Sequence, residues 1–135
     1  MIYLNSRDNS CRFALGEDGA NILHVIGVNP STADDIKSDQ TIRKIKKFSV
    51  LNKFNGYLVF NLCPIRSTDP NKLPTKVNKK AEDKNIDTIV KYISAQDNPS
   101  IWCAWGNTIA KRDYLIYSLE SIYKSTVMYK PSWHS

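Results

Sequence analysis

The stretch Asn21-Ile-Leu-His-Val-Ile-Gly-Val28 (NILHVIGV) decides the fold of this chain of 135 residues. Its apolar side chains hardly alternate with polar ones, which is typical of a strand buried on both faces in a parallel sheet. The segment Asn29-Pro-Ser-Thr-Ala33 follows directly and places an amide and hydroxyl groups around a rigid proline. Ligands of parallel sheets bind beyond the carboxyl ends of the strands. This segment is therefore a candidate site.

Strand and helix patterns alternate along the rest of the chain. The further predicted strands are Arg12–Gly16, Tyr57–Leu62, Ser100–Trp105 and Thr126–Tyr129. Apolar residues recur at helical spacing in three groups: Ile42, Ile45, Phe48 and Leu51; Ile86, Ile89, Val90 and Ile93; and Ile109, Ile116, Leu119 and Ile122. We therefore expect one α/β domain over residues 1–135, a three-layer sandwich around a central, mostly parallel four-stranded sheet. The first predicted strand could add an N-terminal edge to that sheet.

The composition fits a folded, soluble protein. Hydrophobic residues make up 41% and charged residues 24% of the chain, which argues against disorder. No apolar run approaches the roughly 20 residues of a membrane span, and the N-terminus lacks the pattern of a signal peptide. Cys11, Cys63 and Cys103 are too widely spaced for a zinc pattern or a disulfide framework. We expect a cytoplasmic protein with no metal and no cofactor.

The charge of the chain bears on its partner. The net charge of +6 favours a polyanion, although many small basic proteins simply expose lysines to solvent. The cations of the first predicted helix are Arg43, Lys44, Lys46, Lys47 and Lys53. We expect the partner to be a nucleic acid, DNA first, or a nucleotide, and we expect no membrane contact. The sequence patterns do not indicate whether the chain is a monomer or an oligomer.

Polar or aromatic residues follow each of the four predicted core strands. These exits are Asn29-Pro30-Ser31, Asn61-Leu62-Cys63-Pro64, Trp105-Gly106-Asn107 and Lys130-Pro131-Ser132. Because the carboxyl ends of parallel strands lie at the same edge of a sheet, we expect these side chains to converge there. A carboxamide offers both a donor and an acceptor, which suits the edge of a nucleobase.

The same residues also have purely structural explanations. Asn29 could hydrogen-bond its own loop, and Asn61 could cap a turn at the end of its strand. Trp105 could pack in the core, and Asp39 could cap the following helix. His134, near the last exit, could enter the site or lie in solvent. Local sequence leaves these alternatives open.

Read together, the exits resemble a known family. Gly27–Asp34, Asp39–Arg43, Asn61-Leu62 and Ala104–Gly106 resemble the family called domain of unknown function 1643. The likeness runs from Arg12 to the last helix and therefore covers most of the chain. The family is largely uncharacterised, so the likeness implies little about function.

A more distant likeness is more informative. The order of the exits is similar to that of the uracil-DNA glycosylase superfamily, which places an Asn-Pro or Asp-Pro motif, an Asn, a Trp-Gly pair and a His-Pro-Ser turn after successive strands. By this resemblance Asn29 and Lys130 are catalytic, Asn29 positioning the attacking water, and Asn61 reads the extruded base. Lys130 stands where that superfamily has histidine, and its ammonium could stabilise an oxyanion.

The likeness also implies a set of binding residues. The substrate-binding residues would be Pro30, Ser31, Thr32, Asn61, Trp105, Gly106, Pro131 and Ser132, supported by Asp39, Arg43 and His134. The expected function is hydrolysis of a nucleobase N-glycosidic bond, as in DNA glycosylases, because a positioned water and donors aimed at the base favour its transition state. The alternatives are a non-catalytic module that binds a nucleotide or nucleic acid, and a basic protein-interaction or accessory factor.

Overall fold

The computed structural model describes residues 1–31, 33 and 39–135. The strands in this part of the chain are β1 (Ile2–Asn5), β2 (Arg12–Glu17), β3 (Ile22–Gly27), β4 (Gly56–Asn61), β5 (Ser100–Cys103) and β6 (Ser132–His134). The α-helices are α1 (Gln40–Leu51), α2 (Lys79–Ser94) and α3 (Asp113–Thr126), and short 3₁₀ helices span Pro70–Lys72, Gly106–Lys111 and Val127–Tyr129.

The described strands form one mixed, mostly parallel sheet of six strands in the order β1-β2-β4-β3-β5-β6. The pairs β3–β4, β3–β5 and β5–β6 are parallel, whereas β1–β2 and β2–β4 are antiparallel. The α/β class is confirmed, but the expectation of four strands is wrong. The strand at residues 12–17 lies inside the sheet because β1, which has only four residues and little apolar pattern, covers its edge.

The central strand β3 is buried on both faces, as its apolar sequence predicts. Ile22 and Ile26 point into one core, whereas Leu23 and Val25 point into the other. The alternation places α2 and α3 on one face of the sheet and α1 on the opposite face. Residues Ile89 and Ile93 of α2 and Leu115 and Ile122 of α3 fill the first core, and Ile42 and Ile45 of α1 fill the second.

Side-chain caps set the starts of the first two helices. The Asp39 carboxylate accepts a hydrogen bond from the Ile42 backbone N–H at 2.9 Å, and the Asn78 carboxamide oxygen accepts one from the Ala81 N–H at 3.2 Å. Each such cap contributes about 1 kcal/mol to helix stability. None of the helices in residues 1–31, 33 and 39–135 is long and apolar enough to cross a membrane.

The last part of the chain differs from its prediction. Thr126, predicted to begin a strand, ends α3, and its hydroxyl donates to the Ile122 carbonyl at 2.7 Å. Val127–Tyr129 forms a 3₁₀ turn, and Lys130 then adopts a left-handed conformation with φ of 52°. This turn directs residues 132–134 into β6. The β-branched and aromatic side chains of the Thr-Val-Met-Tyr segment favour a strand locally, but the helix continues through its first residue.

The third predicted helix begins later than its pattern indicates. Residues Gly106–Lys111 form a 3₁₀ helix, and the backbone of Arg112 is extended with φ of −143° and ψ of 136°. The α-helix therefore starts at Asp113. The Arg112 guanidinium donates to the Leu73 carbonyl at 2.8 Å. This hydrogen bond ties the extended residue between the 3₁₀ helix and α3 to the loop that precedes α2.

Candidate functional site

A polar cavity of about 180 Å³ lies at the carboxyl ends of β3 and β4, beside the first turn of α1. Among the described residues, its polar lining is formed by Arg12, Asn29, Ser31, Asp39, Thr41 and Asn61. The other described lining residues are Val25, Gly27, Val28, Ile42, Ile45, Val59 and Ala104. The exits of the two central strands thus meet at one site.

Asn61, the last residue of β4, is held from two sides. It is only 4% exposed, and its backbone carbonyl accepts a hydrogen bond from the buried Asn85 carboxamide of α2 at 2.6 Å. Its side-chain oxygen lies across Gly27 of β3, so close that a Cβ at position 27 would stand 2.9 Å from it. The Asn61 amide nitrogen has no hydrogen-bond partner among the described residues. The wall of the cavity therefore contains a buried donor that no described residue satisfies.

The Asn29 side chain is anchored by its nitrogen. Nδ2 donates to the Ser67 carbonyl at 2.8 Å and to the Pro30 carbonyl at 3.2 Å. The bond to Pro30 lies within the loop of Asn29 itself, as expected if this side chain has a structural role. The bond to Ser67 adds a tie to a segment 38 residues away. Both side-chain hydrogen bonds that Asn29 makes with described residues use its nitrogen, and a carboxamide oxygen can act as an acceptor.

Arg12, the first residue of β2, brings a buried cation to the cavity. It is only 3% exposed, and its Nη1 donates to the Ala33 carbonyl at 3.1 Å. Its Nε–H has no partner in the described part of the chain. Burial and the neighbouring Arg66 lower the pKa of Arg12 to about 10, and the Asp39 carboxylate opposes that shift. The guanidinium is therefore still charged at neutral pH.

Arg66 holds the loop that forms one wall of the cavity. Its Nη1 donates to the Ser31 carbonyl at 2.6 Å and to the Ala33 carbonyl at 3.2 Å. Its Nη2 donates to the Tyr3 hydroxyl of β1 at 2.6 Å. Sequence reasoning missed both arginines. An arginine that opens an otherwise apolar strand was a usable signal for Arg12, whereas nothing in the local pattern distinguishes Arg66.

Asp39 has the structural role expected of it and also faces the cavity. One carboxylate oxygen caps α1 through the Ile42 N–H. Because the residue also lines the cavity, it places negative charge opposite the Arg12 guanidinium. The site thus combines a cation, an anion and two carboxamides.

The last predicted exit lies elsewhere. β6 runs parallel to β5, and Ser132 pairs with Ser100, the first residue of β5. The Ser132 N–H donates to the Pro99 carbonyl at 2.8 Å. Lys130, Pro131 and Ser132 therefore lie at the amino-terminal end of the parallel strands, opposite the cavity. The expectation that they converge with Asn29 and Asn61 is wrong, because the last strand starts six residues later than predicted.

The other predicted site residues that the structure describes lie outside the lining of the cavity. Trp105 lines a separate groove between α3 and β6, while its neighbour Ala104 reaches the cavity. Gly106 has φ of 54°, and a Cβ there would meet no atom within 4 Å. Pro30 is buried, Arg43 is exposed on α1, and His134 is exposed on β6. Thr32 lies outside the described residues.

Fold and cavity together define an α/β protein with a small polar site at the carboxyl edge of its parallel strands. The chain belongs to the family described as Protein of unknown function (DUF1643), whose model matches residues 12–134. No curated protein and no solved structure matches the chain. These comparisons give no support to the likeness to the uracil-DNA glycosylase superfamily.

Proposed function

We propose that this chain hydrolyses the N-glycosidic bond of a nucleobase held in the polar cavity, with DNA as the first substrate to test. The observation that carries the proposal is the convergence of Asn29 and Asn61 with Arg12 in one cavity, where two buried donors lack acceptors among the described residues. A buried donor without an acceptor costs about 1–3 kcal/mol, and a bound ligand would recover that energy.

The size and chemistry of the cavity favour a single polar ring. Its volume of about 180 Å³ is below the roughly 300–1,000 Å³ of pockets for drug-sized ligands. The Asn61 amide and the Arg12 Nε–H would donate to an oxygen or ring nitrogen of the base. Val25, Val59 and Ile45 supply an apolar wall. This combination matches a flat heterocycle with polar edges.

Hydrolysis would use these groups in complementary roles. The bond from the sugar carbon to the base nitrogen breaks, and its electron pair leaves with the base. The Arg12 and Asn61 donors stabilise the resulting anion. Asn29, fixed through its nitrogen to Ser67, accepts a hydrogen bond from the water that attacks the sugar carbon. The departing base takes the proton that the water loses, because a carboxamide cannot.

The test is base release from oligonucleotides that contain uracil, mismatched thymine or bulky modified bases, with free base measured by mass spectrometry. Asn29→Ala leaves the attacking water unpositioned, and we expect release to slow by about 100-fold. Lys130→Ala is the matched control and should release base at the wild-type rate. If the wild-type chain releases no base from any of these substrates, the hydrolase proposal is wrong.

A second candidate function is binding without catalysis. It is favoured by the position of Lys130, because the ammonium expected to assist the reaction lies at the far end of the strands. Both functions predict affinity that falls with salt, since the exposed Lys44 and Lys47 of α1 can contact phosphates next to the cavity. Retention of an oligonucleotide without product, abolished by Asn61→Leu, would support the binding module over the hydrolase.

A further inference from the structure

We propose that two copies of this chain associate about a two-fold axis through the outer face of α3 and the turn that follows it. This face consists of Ile116, Tyr117, Glu120, Tyr123, Lys124, Val127 and Met128. Its apolar and aromatic members are exposed by 43% for Ile116, 49% for Tyr117, 52% for Tyr123, 53% for Val127 and 74% for Met128. Ile116, Tyr117 and Tyr123 belong to α3, whereas Val127 and Met128 belong to the turn after it. An exposed apolar patch of this kind is typical of an interaction surface.

The other helices expose fewer large apolar residues, although α1 exposes Phe48, Val50 and Leu51 by 42%, 66% and 71%. The outward residues of α2 are mostly charged, and the Lys79 ammonium pairs with Asp83 at 3.1 Å. α1 exposes lysines along most of its length and apolar residues only in its last turn. α3 and the turn after it together expose five large apolar or aromatic residues, which are spread over positions 116–128 instead of being confined to one helical turn.

The exposed residues form one surface. With 3.6 residues per turn, positions 116, 120 and 123 of α3 follow one line along the helix, and positions 117 and 124 lie beside it. Val127 and Met128 follow in the 3₁₀ turn after Thr126. The opposite side carries the buried Leu115, Ser118 and Ile122. The outer face is therefore continuous, and the helix is buried on one side only.

The order of residues on this face suits a copy of itself. If two α3 helices lie antiparallel with the two-fold axis level with Ile122, residues equally far before and after it become neighbours. Ile116 then meets Met128 of the other copy, and Tyr117 meets Val127. Glu120 meets Lys124, so that two opposite-charge pairs form, because every contact of a two-fold interface occurs twice. The apolar pairs lie outside the charged ones.

The neighbouring groove extends this surface toward the sheet edge. It has a volume of about 360 Å³ and is lined by aromatic residues that include Trp105, Tyr123 and Trp133. The rings of Tyr123 and Trp133 lie 5.9 Å apart between centroids. The chain as a whole carries a net charge of +6, which opposes self-association at its lysine-rich helices. On the outer face of α3, Glu120 and Lys124 balance each other, and the exposed Asp113 at its amino-terminal end adds one anion. The excess of cations that α1 exposes is therefore absent from this face.

The test measures the mass of the full chain by sedimentation equilibrium over a range of concentrations. We expect a dimer for the wild type. Glu120→Lys and Lys124→Glu each replace two attractive pairs by two repulsive ones, so each should raise the dissociation constant by about tenfold or more. Lys47→Glu on α1 is the matched charge control and should leave the dissociation constant unchanged. Circular dichroism verifies that every variant is folded.

Mixing the two single variants separates contacts between chains from effects within one helix. A Glu120→Lys chain offers two cations and a Lys124→Glu chain two anions, so their mixture should form a heterodimer with near wild-type affinity. Like charges within each helix remain, so a purely intrahelical effect would not be rescued by mixing. A wild-type chain that is monomeric at all concentrations, or a mixture that forms no heterodimer, would overturn the proposal.

Discussion

The two ends of the parallel strands carry similar types of polar residue, but these residues are buried at one end and exposed at the other. At the carboxyl end, Asn61 and Arg12 are almost completely buried and retain donors without partners in the described part of the chain. At the amino end, Asn98, Lys130 and Ser132 are exposed and help to form a turn. Water satisfies an exposed polar group without loss of stability, whereas a buried one needs a partner. Burial with unmet hydrogen-bonding capacity therefore distinguishes the candidate site from an ordinary turn.

The largest effect should come from the support of the carboxyl end. Asn85→Ala removes the donor to the Asn61 carbonyl and leaves a buried acceptor unsatisfied. We expect the free energy of unfolding to fall by about 1–3 kcal/mol, measured by urea denaturation. Asn107→Ala, at an exposed position, should change it by less than about 0.5 kcal/mol. Equal effects of the two substitutions would show that the Asn85 bond does not support the site.

The next effect concerns ligand affinity. Gly27→Ala places a methyl carbon 2.9 Å from the Asn61 side-chain oxygen, which is closer than van der Waals contact. The side chain can move, so the fold should survive, but the amide shifts within the cavity. We expect displaced NMR signals of the Asn61 side-chain amide and about tenfold weaker binding of an oligonucleotide that the wild type retains. Unchanged amide signals would contradict the contact.

A smaller effect is expected at the start of α1. Asp39→Ala removes the cap on the Ile42 N–H and should lower the free energy of unfolding by about 1 kcal/mol. It also removes the carboxylate that faces Arg12, so the loss should be greater than for Asp87→Ala on the exposed face of α2. Thermal or urea denaturation of both variants measures the difference. No difference would mean that Asp39 does not act as a cap in solution.

The smallest effect should occur at the amino end. Lys130 has a left-handed backbone with φ of 52°, a conformation that costs roughly 1 kcal/mol for residues other than glycine. Lys130→Gly should relieve that cost, offset in part by the flexibility of glycine in the unfolded chain. We expect a gain in stability of less than about 1 kcal/mol and no change in ligand binding. Weaker binding would place Lys130 at the site after all.

Sequence patterns were sufficient where neighbours in the chain are also neighbours in the sheet. β3 and β4 are adjacent parallel strands, so their exits at Asn29 and Asn61 meet in one cavity. The contribution of Arg12 depends on β2 packing antiparallel against β4 and on a contact with Ala33, and neither is encoded locally. The position of β6 depends on how far α3 extends. Thr126 is compatible with a helix or a strand, so its tertiary contacts determine where α3 ends and therefore where β6 begins.

The double grip of Arg66 has a practical consequence for handling the protein. One side chain joins Tyr3, near the start of the chain, to the carbonyls of Ser31 and Ala33 at the cavity wall. A purification tag or fusion partner that displaces β1 would loosen the cavity wall, although β1 is distant from the wall residues in sequence. Assays should therefore compare tags at either terminus before a lack of activity is attributed to the protein itself.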